Sequence, residues 1–176
     1  QGESLLIERP DRLNPYQGVI DVGPAGTTMR FLTSFVSSVP GALVELRGSE
    51  RMHQRPISDL VSALQSKGVK IEYLGKSGCP PIRIQGRVKQ DSFLVDLDAG
   101  ISSQFLSSIL LSSSSLATSV EVRLQGELVS RSYVDLTIAM MKEFGVNVIE
   151  EENNYFLVFD STPKPGAYSI DGDATG

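Results

Sequence analysis

Tryptophan is missing from this chain of 176 residues, and cysteine and histidine occur once each. The single cysteine, Cys79, rules out an internal disulfide, and with only His53 beside it a His/Cys metal site has no set of ligands. Nor is there an excess of positive charge: a net charge of −5 argues against general nucleic-acid binding. The cysteine usage fits a cytoplasmic compartment best, and no signal-peptide or lipidation motif is visible. Long apolar runs are lacking too. The nearest is Gly100 to Ser119, twenty uncharged residues of which nine are serine, too polar to span a bilayer and better suited to a buried helix. The chain opens without Met and stops at Asp171-Gly172-Asp173-Ala174-Thr175-Gly176, the pattern expected of an excised piece.

What is present is an ordinary globular composition, 40% apolar and 21% charged, enough to bury one large core or two small ones. Ten of the sixteen basic residues are arginine, and Arg47, Arg51 and Arg55 fall close together. Local positive charge on an acidic chain points to a small anionic ligand.

Gly23-Pro24-Ala25-Gly26-Thr27-Thr28-Met29-Arg30 leads from an alternating strand (Gly18 to Val22) into a helix from about Thr27 to Ser38. Leu43 to Arg47 alternates as a strand, and Pro56 can open a helix with Ile57, Leu60, Val61 and Leu64 on one face and Gly68 as its terminator. Val69 to Leu74 and Ile82 to Gln85 read as a hairpin, and Ser4 to Glu8 as a short leading strand.

The second half repeats this plan. Arg30-Phe31-Leu32 corresponds to Gln104-Phe105-Leu106 at an offset of 74, and Val44-Glu45-Leu46-Arg47-Gly48 to Val122-Arg123-Leu124-Gln125-Gly126 at 78. Asp59-Leu60 matches Asp135-Leu136 at 76, and Gly68-Val69 matches Gly145-Val146 at 77. The fold expected is therefore α+β, made of repeated strand-helix-strand-helix-strand-strand units with buried central helices. Residues 1–17 form a partial leading unit, 18–87 and 92–160 the two repeats, and 161–176 the start of a further unit or a hinge, with Tyr168 to Asp171 as its first strand. Strands Val146 to Glu150 and Tyr155 to Phe159 flank an Asn153-Asn154 turn.

Within each unit the first helix (Thr27 to Ser38; Ser102 to about Leu116) is almost uncharged and rich in Ser, Thr and Ala, so it should be buried, its hydroxyls bonded to the previous turn. The second helix (Ile57 to Lys67; Tyr133 to Phe144) carries Asp59, Lys67, Asp135, Lys142 and Glu143 and belongs near the surface. Equivalent loops then meet at one mouth.

Four loops there can hold an anion. Gly26-Thr27 and Ser102-Ser103-Gln104 are helix starts with free N–H groups, where Thr27, Thr28 or the serines either cap the helix or face a ligand. Arg51-Met52-His53-Gln54-Arg55 places two guanidiniums before a helix, either a solvated basic turn or a bidentate anion clamp. Ser130-Arg131-Ser132-Tyr133 offers a hydroxyl, a cation and a phenol. His53 is expected exposed, Cys79 in a turn, and Glu150-Glu151-Glu152 in a solvated turn. No acid/base pair stands out.

These four motifs, in this order and spacing, resemble 5-enolpyruvylshikimate-3-phosphate synthase, from about residue 18 to the end. Only one of that family's two globular domains is covered. The resemblance implies part of a transferase of aromatic amino acid biosynthesis (the shikimate pathway) that moves enolpyruvyl from phosphoenolpyruvate to the 5-hydroxyl of shikimate 3-phosphate. It needs the missing second domain of the same polypeptide, uses no cofactor or metal, and has no nucleic-acid or membrane partner. By position, Ser102, Ser103 and Ser130 would hold the shikimate phosphate, with Gln104 and Tyr133 near its ring. Gly26, Arg55 and Gln104 would contact phosphoenolpyruvate, where glyphosate competes, with Thr27 and Arg30 shaping the pocket. No catalytic residue is assigned to this stretch. Pro24 stands where the family commonly has Asn, and Phe31 where Pro is frequent. Two other readings are a non-catalytic anion-binding module of the same fold and a domain of UDP-N-acetylglucosamine enolpyruvyl transferase, which shares the repeat but not the Ser-Ser-Gln and Ser-x-x-Tyr motifs.

Overall fold

Alternating β-branched and polar residues build two sheets, and serine-rich uncharged segments build the helices between them. The computed structural model describes residues 5–8, 14–98, 100, 102–151, 155–159 and 162–168. The first half runs β1 (Gln17–Asp21), α1 (Gly26–Ser37), β2 (Leu43–Arg47), a 3₁₀ turn (Met52–Gln54), α2 (Ser58–Ser66), β3 (Lys70–Tyr73) and β4 (Ile82–Gln85). The second runs β5 (Gln90–Asp98), α3 (Ser103–Leu116), β6 (Ala117–Gln125), α4 (Arg131–Glu143), β7 (Val148–Glu151) and β8 (Tyr155–Phe159).

The sheets have the same plan, β1-β2-β4-β3 and β5-β6-β8-β7. In each, the first pair is parallel and the rest antiparallel. A parallel pair needs a crossover, and α1 and α3 supply it. Side-chain alternation sets the buried face: Val44 and Leu46 of β2, and Val120, Val122 and Leu124 of β6, all point into the core.

Helices α1 and α3, which carry no charge but Arg30, pack against each other. Arg30 Nη1 donates to Gln104 Oε1 at 2.9 Å, and the Ser34 and Ser108 hydroxyls share a bond of 2.9 Å. Both pairs are 74 residues apart, the repeat offset, so equivalent residues face each other and the helices run parallel. Other interior hydroxyls are bonded within their own helix or to the next one. Thr33 donates to the Met29 carbonyl at 2.8 Å, Ser37 to that of Thr33 at 2.7 Å, and Ser107 shares a 2.8 Å bond with Thr137 of α4. A buried hydroxyl left unbonded costs about 1–3 kcal/mol, so these bonds are what permit serine in the core.

Several local expectations are corrected. Residues 5–8 form no strand, and Leu5, Leu6 and Ile7 are at least 80% exposed, because no neighbouring strand pairs with them. Helix α2 starts at Ser58 rather than Pro56, since the Ile57 N–H is taken by the Gly78 carbonyl at 2.9 Å and holds the chain out of helical geometry. Helix α1 starts at Gly26 on an Ala25 cap, and the exposed Thr27 and Thr28 cap nothing. Helix α4 starts earlier than Tyr133, at Arg131. Tyr168 stacks on Phe144 at 5.7 Å outside any strand, and residues 169–171 lie outside the described ones, as does the Asn153-Asn154 turn. Cys79 sits in the bend between β3 and β4 and is buried. His53 is half-buried, its Nε2 accepting the Gly48 N–H at 3.5 Å, rather than exposed.

Candidate anion-binding rim

Strands β1, β2, β5 and β6 each end in a loop that enters a helix. Because β1 runs parallel to β2, β5 to β6, and α1 to α3, these four loops share one edge of the molecule. The carboxyl ends of parallel strands are where open α/β sheets take ligands.

The first two loops are stitched together. Ser49 N–H donates to the Gly23 carbonyl at 2.9 Å and Val22 N–H to the Arg47 carbonyl at 2.9 Å. Only glycine fits at position 48, where a Cβ would lie 2.6 Å from the Gly23 oxygen. Gly26 lies under two side chains instead: a Cβ there would lie 2.5 Å from Arg55 Nη1 and 2.9 Å from Arg30 Nη1, ends that would have to move aside. Two guanidiniums therefore lie against the start of α1, a helix with no acidic residue in its first turn and no side-chain cap.

Arg30 is held by the Gly26 carbonyl at 3.2 Å, by Gln104 and by the Phe105 ring, 5.5 Å away. Its Nε is buried without a partner among the described residues. Burial first, and the charge of Arg55 second, lower its pKa. Arg55 has a different origin. The residue before a proline is pushed out of the helical region, and Arg55, before Pro56, is extended at φ −83° and ψ 128°. Among the described residues neither arginine has a carboxylate partner. Two uncompensated cations at an open helix start form a site that gains by binding an anion.

On the α3 side, Ser102 is the N-cap and its oxygen accepts the Gln104 N–H at 3.2 Å, leaving its own proton free to donate. Gln104 Oε1 is taken by Arg30, so its Nε2 is the free end. Ser103 is 6% exposed. At the fourth loop Ser130 caps α4 in the left-handed region, φ 58° and ψ 49°, the only non-glycine among the described residues with positive φ. Its side chain caps nothing, and Tyr133, 65% exposed, follows on the same turn.

Gly26, Arg30, Arg55 and Gln104 are thus in direct contact, and Ser102 and Ser103 adjoin them through Gln104. Ser130 and Tyr133 occupy the neighbouring loop without a hydrogen bond to that group, and Thr27 stands exposed on the first turn of α1. Among the described residues, the Ser103, Ser130, Thr27 and Tyr133 hydroxyls and the Arg55 guanidinium make no hydrogen bond within the chain. Sequence reading missed Glu150. It lies in β7, as the strand expected to end at Glu150 implied, but it is no solvated acid: it takes Arg131 bidentately at 2.7 and 2.6 Å. Asp135 binds the Arg131 Nε at 2.7 Å. Those bonds, Glu150 first and Asp135 second, raise the Arg131 pKa. The signal that could have found this pairing is the repeat itself, in which Arg131 answers to Arg55. A larger concavity of about 480 Å³ lies beside β3 and β4, but its Arg83 and Glu72 are already paired, at 3.1 Å.

Two sheets of one plan around paired serine- and threonine-rich helices, with a donor-lined rim at the strand ends, place the molecule in the architecture of the enolpyruvyl transferases. Its fold is similar to that of an EPSP synthase from Acinetobacter baumannii, with a TM-score of 0.70 over 85% of this chain and 32% of that one, at 23% identity. The family model for EPSP synthase (3-phosphoshikimate 1-carboxyvinyltransferase) matches residues 2–176, and the chain belongs to that family. A 3-phosphoshikimate 1-carboxyvinyltransferase of Bacteroides fragilis is 44% identical over 80% of this chain and 34% of its own length, and one of Vibrio cholerae 41% identical over 88% and 36%. The pentafunctional AROM polypeptide of Schizosaccharomyces pombe is 38% identical over 99% of this chain and 12% of its own. The chain spans about a third of the single-function relatives it matches. Among the described residues no helix is long and apolar enough to cross a membrane.

Proposed function

We propose that this chain is the shikimate-3-phosphate-binding domain of a cytoplasmic enolpyruvyl transferase. The whole enzyme moves enolpyruvyl from phosphoenolpyruvate to the 5-hydroxyl of shikimate 3-phosphate and releases phosphate through a tetrahedral intermediate. The observation that carries this reading is the contrast in donors. Hydroxyls Ser34, Ser37, Ser107 and Ser108, where the helices pack, are bonded, while those of Ser130 and the exposed Tyr133 and the Arg55 guanidinium on the rim are open.

Ser102, Ser103 and Ser130 donate to the shikimate phosphate, and Gln104 and Tyr133 flank its ring. Arg55 and the backbone at Gly26 take phosphoenolpyruvate, the Gln104 amide lies between the two substrates, and Arg30 and Thr27 shape the pocket, where glyphosate competes. Two anionic substrates repel each other, so fixed cations and N–H groups must hold them together and stabilise the intermediate. The reading calls for no metal or organic cofactor. The second globular domain closes the other side of the cleft, and the chain alone binds shikimate 3-phosphate weakly without turnover.

Titration of the chain with shikimate 3-phosphate tests this. Amide shifts concentrated at Ser102, Ser103 and Ser130 are expected, and their absence would overturn the reading. A tighter response to a UDP-sugar would favour the nucleotide-sugar transferase instead. Adding the second domain and assaying phosphate release separates an enzyme half from a module that only binds.

A further inference from the structure

The repeat sets Arg131 opposite Arg55 at an offset of 76, the offset that also relates Asp135-Leu136 to Asp59-Leu60. Their surroundings differ in two ways. Pro56 follows Arg55 and holds it extended, whereas Ser132 follows Arg131 and lets α4 run back through it to a left-handed cap at Ser130. Arg131 then lies one turn before Asp135 and reaches Glu150 on β7, at an offset of 77 from Tyr73, which has no carboxylate to offer. Arg55 is left open to the rim and Arg131 is closed by three charge-assisted bonds.

A serine in the left-handed region is strained and persists only where its neighbours over-determine it. Ser130 has no cap bond of its own. Val134, fully buried, and Leu128, packed on the core, anchor the flanks, and the Tyr133 N–H bonds the Ser130 carbonyl at 3.1 Å; the side-chain ties next to Ser130 itself are those of Arg131, joined to the next turn of α4 and to the sheet. We infer that Arg131 is not an anion ligand like its repeat-mate but a positioning residue: clamped by Glu150 and Asp135, it holds Ser130 in the conformation that turns its hydroxyl toward the phosphate. Removing the clamp frays the first turn of α4, Ser130 relaxes, and the phosphate loses one donor.

This rests on the assignment of Ser130 to the phosphate site, and the test separates the two. Dissociation constants for shikimate 3-phosphate are measured on this chain by amide-shift titration for wild type, Ser130→Ala, Glu150→Gln, Arg131→Met, the doubles Ser130→Ala/Glu150→Gln and Ser130→Ala/Arg131→Met, and the exchange Arg131→Glu/Glu150→Arg. Glu150→Gln and Arg131→Met are each expected to weaken binding about fivefold, adding nothing in the Ser130→Ala background, with the exchange, which gives up the Asp135 bond, recovering part of the loss. Should Ser130→Ala weaken binding while Glu150→Gln and Arg131→Met leave it unchanged, the clamp has no part. Should Arg131→Met cost far more than Glu150→Gln with no recovery on exchange, Arg131 is itself a ligand and the inference falls. Wild-type affinity in Ser130→Ala would overturn the site assignment and the inference with it.

Discussion

The two halves share a topology and differ in what they present at the rim. The first offers fixed positive charge, Arg30 and Arg55 against the Gly26 backbone; the second offers neutral donors, Ser102, Ser103, Gln104 and Ser130. Gln104 stands at the repeat position of Arg30, and the two bond to each other across the α1/α3 contact. A single anion could be held by either set. Two different anions side by side need both, one held by charge and the other by shaped hydrogen bonding.

That comparison can be broken in several ways. The largest effect is expected from Arg55→Met, which removes the open cation: phosphoenolpyruvate binding or turnover in the full-length enzyme falls by about 2–4 kcal/mol, read from kcat/KM, with shikimate 3-phosphate affinity little changed. Gly26→Ala drives a methyl into both guanidiniums and, displacing them by up to about 1 Å, is expected to raise KM for phosphoenolpyruvate roughly 10- to 100-fold while the chain stays folded. Pro56→Ser makes the first unit like the second. Arg55 is then free to turn helical, and a crystal structure should show α2 extended toward it, with phosphoenolpyruvate affinity reduced by roughly tenfold.

Interior changes should touch stability and spare binding. Ser34→Ala removes one side of the bond to Ser108, whose hydroxyl also has the Phe105 carbonyl at 2.9 Å. Urea unfolding should show a loss of about 1 kcal/mol. Smallest of all, Glu72→Gln breaks an exposed pair with Arg83 and should change stability by less than about 0.5 kcal/mol.

Much of this was legible without coordinates. Strand Leu43–Arg47 coincides with the one read from alternation, because a half-buried strand writes its two faces directly into the chain, and Ile82–Gln85 and Tyr155–Phe159 coincide with the strands read beside their turns. Helix starts were less legible. Thr27 and Thr28 have the chemistry of caps yet are not used, and α2 and α4 begin on opposite sides of the expected positions, since one proline and one bond to Gly78 decide where the first turn closes. Of the candidate site, the residue types and the loops were readable, but Glu150 was taken for a solvated acid because its partner lies 19 residues away in another element.

Sequence by itself determined the alternation of strands and helices, the offset near 74 to 78 that makes the second half an image of the first, and the uncharged character that buries α1 and α3. These are local or self-similar properties, carried by residues within a turn or a strand of each other. Only the tertiary structure decided which polar groups are satisfied. Arg30 meets Gln104, Ser34 meets Ser108 and Arg131 meets Glu150, whereas Arg55 and Ser130 are left open. A hydrogen bond depends on the partner's distance and direction, not on either residue's identity, and that geometry exists only once the two sheets have packed around their central helices.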